Sequence, residues 1–100
     1  MKILYLSLKK KWFDMILSGE KKEEYREIKP YWTNRISYGE RYDAVKFVNG
    51  YGNNRPWMLI ELKGWAINYG CPEWGGDTDY TQYVLYLGKI LDKGNTTSGE

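Results

Sequence analysis

The chain contains no histidine and only one cysteine, Cys71. Without imidazole it has no Ser-His-Asp or Cys-His catalytic arrangement, no histidine-bound metal and no imidazole general base. A single thiol forms no disulfide within the chain and completes no cysteine-based zinc site, a pattern typical of the reducing cytoplasm. Any catalysis must therefore use Lys, carboxylate, Tyr, Thr or Ser side chains, with or without a carboxylate-bound metal.

Long apolar runs are also missing from the chain. No stretch of about 18 apolar residues is present, so we expect no membrane span. The apolar stretch 1–7 is followed at once by lysines rather than preceded by them, so we expect no signal peptide and a cytoplasmic protein. The 100 residues are the size of one domain, which we place at 1–92, with a polar, disordered tail at 93–100.

Aromatic residues are abundant: they make up 17% of the chain and include five Trp, whereas the net charge of +2 decides little. Such a density of rings can fill a small core, stack on bases, or do both. We expect Trp12, Trp57 and Trp65 to pack in the core or at its edge. Trp32 and Trp74 fall in irregular segments, where an indole is a candidate for base contact.

Apolar periodicity predicts five strands and one main helix, with strands at 2–7, 22–28, 44–48, 57–67 and 82–91. The helix covers Lys9–Ser18 and ends at Gly19, and Pro30 begins a short second helix over 31–36. Gly88 indicates a bulge or a close backbone approach. The predicted fold is α+β and mostly β: a small β-barrel with the main helix after the first strand, closed by pairing of the first and last strands.

The segment 19–26 is the densest charge cluster in the sequence. In an extended strand Glu24 and Arg26 project to one face, and Lys21 can lean over that face from the preceding turn. One interpretation is an ordinary solvated face with weak ion pairs. The other is functional: Lys21 and Arg26 contact phosphate, while Glu24 accepts a hydrogen bond from a base.

The spacing Gly19-x-Lys21-x-x-Glu24-x-Arg26 resembles the G-x-K-x-x-E-x-R motif of the ASCH domain family. Other segments resemble compact bacterial and phage-type members, and the resemblance covers roughly residues 2–92; the further segments are 16–19, 49–52, 73–75 and 87–90. The resemblance implies a PUA-like β-barrel with a basic cleft that binds RNA or a nucleotide. It implies no cofactor.

The resemblance leaves catalysis open. One small bacterial branch hydrolyses N4-acetylcytidine with a Lys, a Thr and a downstream Glu. Here Lys21 occupies the lysine position and Glu73 loosely fits the distant glutamate, but Glu24 stands where that branch has threonine. Other ASCH proteins resemble metal-assisted ribonucleases, for which Glu24 with Glu73 or Asp77 would be the carboxylates, although their spacing predicts no metal site. A third alternative is a phage or mobile-element effector that binds a host protein.

Three further segments complete the predicted site. The glycine-rich loop after the third strand offers Asn49 to a base edge and Tyr51 for stacking. Lys9 and Lys10 would add phosphate contacts that do not depend on sequence. The predicted binding residues are therefore Lys9, Lys10, Lys21, Glu24, Arg26, Asn49, Tyr51 and Trp74. The predicted catalytic residues, if the protein is an enzyme, are Lys21, Glu24 and Glu73.

Overall fold

A computed structural model describes residues 1–50 and 54–96 of the chain. Five strands form one mixed sheet, and its strands are β1 (Ile3–Leu8), β2 (Glu23–Arg26), β3 (Ala44–Asn49), β4 (Trp57–Asn68) and β5 (Gln82–Gly94). The helices are α1 (Lys10–Leu17) and α2 (Pro30–Trp32). A π-helical turn (Thr33–Ser37) continues α2, and a 3₁₀ turn (Pro72–Trp74) lies between β4 and β5. The predicted α+β, mostly β class is confirmed, including the second short helix.

The strand order in the sheet is β1-β3-β4-β5-β2. β1 pairs in parallel with β3, and the other neighbours are antiparallel. The predicted pairing of the first and last strands is therefore wrong: β4 lies between β3 and β5, while β1 and β2 are the two edges. Alternation along each strand indicates which face is buried, but the choice of partner strand depends on long-range packing.

The core lies on one face of the sheet and is covered by α1. Phe13 and Ile16 of α1 are each 1% exposed, and they pack with buried strand residues such as Phe47 and Leu85. The two helical residues are three positions apart and so share one face. Trp12, one position before Phe13, is turned to the flank of the helix and is only partly buried.

Two glycine predictions are confirmed. Gly19 has φ +87° directly after the helix, a backbone conformation that favours glycine. Gly88 lies at a register shift between β4 and β5, where a Cβ would collide with the Glu61 carboxylate. β5 continues to Gly94 because it pairs with the start of β4, Trp57 opposite Gly94. The tail predicted from residue 93 therefore begins too early, and residues 97–100 lie outside the described part.

Among the described residues, no helix combines the length and apolar character that a membrane crossing requires.

Candidate functional site

Lys21 lies just beyond the end of α1, where its backbone N–H donates to the Met15 carbonyl at 2.9 Å. The side chain then turns inward and is completely buried. Its Nζ donates to the Trp74 carbonyl oxygen at 2.5 Å and lies 3.1 Å from Glu24 Oε1. A fixed lysine in this position connects the helix end, β2 and the 3₁₀ turn.

Two aromatic rings complete the surroundings of this ammonium group. Lys21 Nζ lies 5.2 Å from the ring centroid of Trp12 and 4.7 Å from that of Tyr25, both within cation–π range. Burial disfavours the charged form and lowers the pKa of Lys21 below its ordinary 10.5, although the Glu24 carboxylate opposes the shift. Lys21 therefore holds its proton less tightly than a solvated lysine.

Glu24 is the centre of the cluster and is only 4% exposed. Its Oε1 faces Lys21, and its Oε2 accepts a hydrogen bond from Arg26 Nη1. One buried carboxylate thus lies between two cations, which leaves the cluster with a net positive charge. The interpretation of 19–26 as a solvated face is therefore wrong for Lys21 and Glu24.

Arg26 reaches from β2 to the opposite edge strand. Its Nη1 also donates to the Tyr25 carbonyl at 2.8 Å, and its Nη2 donates to the Ser7 carbonyl on β1 at 3.1 Å. The guanidinium lies 5.2 Å from the ring centroid of Trp32. A guanidinium has five N–H donors. Three of them donate to Glu24, Tyr25 and Ser7.

A cleft of about 250 Å³ opens beside this cluster, between β1, the start of α1, β2 and the 3₁₀ turn. Glu24 and Arg26 line it together with Trp12 and Trp74. Lys9 also lines the cleft and is exposed. Lys21 is not on the wall but behind it. The cleft thus offers a carboxylate acceptor and a guanidinium donor side by side, between aromatic surfaces.

The turn that carries Trp74 is held by local contacts. Gly75 has φ +87°, and a Cβ there would lie 2.9 Å from the Trp12 ring. The Tyr25 hydroxyl accepts from the Cys71 N–H at 3.0 Å and donates to Glu23 Oε1 at 2.8 Å. Burial of this hydroxyl raises the pKa of Tyr25. The Tyr25 contacts and the close approach of Gly75 to Trp12 fix the carbonyl that Lys21 binds.

The structure brings together five of the predicted site residues: Lys21, Glu24, Arg26, Trp74 and Lys9. Lys10 instead pairs with Asp14 at 2.5 Å on the exposed side of α1, outside the cleft. Glu73 precedes Trp74 in the 3₁₀ turn, but its side chain is exposed and does not line the cleft.

The predicted loop contributes nothing to this cluster among the described residues. Asn49 is the last residue of β3, where its N–H donates to the Pro56 carbonyl at 2.9 Å. It does not line the cleft. Tyr51 lies outside the described residues.

A carboxylate-bound metal has little to bind to in this region. Within 1–50 and 54–96, no three Asp, Glu or Cys side chains are grouped closely enough to hold a metal ion. Asp77, one of the carboxylates considered for that role, uses its Oδ1 to accept N–H groups of Asp79 and Tyr80 at 2.7 and 3.3 Å. Asp77 Oδ1 therefore stabilises the turn formed by residues 77–80.

Sequence reasoning missed three residues of the site. Ser7 contributes only a backbone carbonyl, which no side-chain pattern reveals. Trp12, expected in the core or at its edge, packs against the core and also faces the Lys21 ammonium, as does Tyr25, for which no role is predicted. In the sequence, Trp12 and Tyr25 lie within nine residues of Lys21, and this closeness was the signal that could have indicated cation–π contacts.

The lowered pKa of Lys21 predicts a pH dependence of stability. Between that lowered pKa and 10.5, the unfolded chain binds the lysine proton and the folded chain does not, so stability rises with pH. We expect the unfolding free energy of the wild type, minus that of Lys21→Met, to increase as the pH rises from neutral towards 10.5. Urea unfolding of both proteins at four pH values measures it. A flat or falling difference would contradict the buried position of the ammonium group.

Comparisons with protein-family models, with curated proteins and with solved structures found no match to this chain.

Proposed function

We propose that the cleft binds a nucleobase, presented by a nucleoside, a nucleotide or an unpaired position of RNA. The observation that carries this proposal is the buried Lys21–Glu24–Arg26 cluster, which holds a carboxylate and a guanidinium on one wall of a small aromatic cleft. A base edge combines N–H donors with carbonyl or ring-nitrogen acceptors, and it would pair with both groups.

The size and charge of the cleft favour one base over a longer ligand. Its volume of about 250 Å³ lies just below the range of drug-sized sites, which begins near 300 Å³. The indoles of Trp12 and Trp74 offer surfaces for stacking, which is how proteins hold unpaired bases. Lys9 at the exposed rim would meet a phosphate attached to that base.

We also propose that the chain is an ASCH-type protein with a PUA-like fold. The support is the Gly19-x-Lys21-x-x-Glu24-x-Arg26 spacing, joined to a sheet whose two edge strands face each other across the cleft. This assignment and nucleobase binding are separate proposals, because the family motif alone does not identify a ligand.

Arg26→Gln tests the binding proposal. The variant loses the guanidinium donors and the positive charge at the cleft, and a shorter, uncharged polar side chain remains. We expect the Kd for nucleoside monophosphates to rise about tenfold, the loss of roughly 1.4 kcal/mol typical of a hydrogen bond to a charged group. Isothermal titration calorimetry with the four monophosphates measures it.

The matched control for this experiment is Lys93→Gln, which removes one positive charge from an exposed position of β5 opposite Met58, outside the cleft. We expect it to bind as the wild type does. Equal weakening by both substitutions would mean that net charge, and not the cleft, determines affinity.

Lys9→Gln separates base recognition from phosphate contact. If Lys9 meets a phosphate, the variant should bind nucleosides with unchanged affinity. Its affinity for short single-stranded RNA should fall, and the slope of log K against log salt should decrease in magnitude by about 0.7. RNA binding measured by fluorescence anisotropy between 50 and 300 mM salt gives that slope. An unchanged slope would remove Lys9 from the phosphate contacts.

A second candidate is an amide hydrolase, and the observation that favours it is the lowered pKa of Lys21. A neutral lysine could take a proton from water as the water oxygen bonds to the acyl carbon, and could return that proton to the exocyclic amine of the base as the C–N bond breaks. Two features count against it: Lys21 lies behind the cleft wall, and Glu24 replaces the hydroxyl of the amidohydrolase branch. Incubating wild type and Lys21→Met with N4-acetylcytidine tests it, because turnover that only the wild type shows would favour hydrolysis.

A further inference from the structure

A second cavity lies apart from the cleft beside the Lys21–Glu24–Arg26 cluster. It is a groove of about 350 Å³ between the segment that follows the π-helical turn and the middle of β4. It has no lining residue in common with the base cleft. The groove is therefore a separate cavity, and the Lys21–Glu24–Arg26 cluster does not line it.

The floor of the groove is apolar and belongs to the core. Leu4, Ile36 and Leu85 form part of it and are each at most 4% exposed. Trp65 forms a wall that is 41% exposed, and its ring contacts Tyr83 edge-on with 5.7 Å between the centroids. A supported indole above an apolar floor is suited to a ring or a short alkyl chain.

The groove has a structural origin in β4. The register with β5 shifts between Leu62 and Gly64, so the two strands are not evenly paired there. A Cβ built on Gly64 would meet no atom within 4 Å. The irregular pairing and the missing side chain leave open space on the wall of the groove.

The charges at the rim identify the kind of ligand. Arg41 and Lys63 line the groove and are exposed, and among the described residues neither has an ion-pair partner. The one acidic residue of the lining, Glu40, is paired with Lys2 at 2.5 Å. The rim therefore presents two available positive charges above an apolar floor.

We propose that this groove is a second ligand site, which binds a small anion with an apolar body. The ring or chain of the ligand lies on the core floor beside Trp65, and its carboxylate or phosphate lies near Arg41 and Lys63. The site requires neither the nucleobase nor the ASCH assignment, so its test is independent of the proposed function.

Protein NMR with three matched probes tests the proposal: naphthalene-2-carboxylate, the neutral carboxamide, and the cationic naphthylmethylamine. We expect the carboxylate to shift the backbone amides of Gly39 and Gly64 and the indole N–H of Trp65. The two exposed cations should make the carboxylate bind about fivefold more tightly than the carboxamide, and the amine should bind more weakly than either. The ratio of the carboxylate affinity to the carboxamide affinity should fall to about one in the double variant Arg41→Gln/Lys63→Gln.

The control is Lys89→Gln/Lys93→Gln, which changes the net charge equally at two exposed positions of β5 that line neither cavity, and it should keep the fivefold ratio. Three results would overturn the proposal: equal affinity for carboxylate and carboxamide, shifts confined to the base cleft, or no shifts at millimolar probe. Movement of the same resonances when the free protein is concentrated would also overturn it, because the groove would then be covered by a second copy of the chain.

Discussion

Glu24→Ala should destabilise the folded protein by about 3–5 kcal/mol, the usual cost of removing one partner from a buried ion pair. The substitution leaves the buried ammonium of Lys21 without its carboxylate and beside the like charge of Arg26. Because domains of this size are stable by only about 5–15 kcal/mol, the loss would be a large fraction of the total. Urea unfolding followed by circular dichroism measures it.

Two companion variants separate charge from shape at this position. Glu24→Gln keeps the size and one acceptor oxygen but removes the charge, so we expect an intermediate loss. Glu27→Ala removes an exposed carboxylate whose ion pair with Lys29 spans 3.7 Å, and it should cost less than about 0.5 kcal/mol. If Glu24→Ala and Glu27→Ala destabilised the protein equally, the buried cluster would not exist in solution.

Gly76→Ala should destabilise the protein by about 1–3 kcal/mol, the cost of forcing extra atoms into a packed region. A Cβ at Gly76 would lie 2.5 Å from both the Cα of Gly70 and the backbone N of Cys71. Backbone atoms do not rotate away as a side chain does, so the turn must open. Opening it would move the Trp74 carbonyl away from Lys21, and ligand affinity at the cleft should fall together with stability.

Gly64→Ala is the matched control, because a Cβ at that position meets nothing within 4 Å. We expect it to change the unfolding free energy by no more than about 0.5 kcal/mol. Thermal unfolding of both variants and calorimetric titration of Gly76→Ala give the two readouts. A Gly76→Ala protein as stable as Gly64→Ala would contradict the close approach of the two glycines.

The sequence predicted the elements of this fold better than their arrangement. Alternating side chains placed β1, β3 and β4 within about two residues of their bounds, because alternation and turn residues are local signals. The pairing of β1 with β3 is a long-range choice, which no local pattern contains. The extension of β5 to Gly94 is likewise not a local property, because it depends on the pairing of Gly94 with Trp57 at the start of β4.

The candidate site was also predicted only in part: its local geometry could be predicted, and its long-range contacts could not. Strand alternation correctly placed Glu24 and Arg26 on one face, and the position of Lys21 after the helix correctly brought it to them. Its burial was not predictable, because the carbonyl that binds it belongs to Trp74, 53 residues further along the chain. Lys21, which the sequence predicts to contact phosphate, lies buried against Glu24 and does not line the cleft.

The most direct test of the account is an NMR titration of the protein with nucleosides, nucleoside monophosphates and short single-stranded RNA. We predict saturable shifts at the amides of residues 7–9, 24–26 and 74–75 and at the indole N–H groups of Trp12 and Trp74. These shifts should be absent or much weaker in Arg26→Gln. Shifts confined to the groove near Trp65, or no shifts with any of these ligands, would contradict nucleobase binding at the cleft.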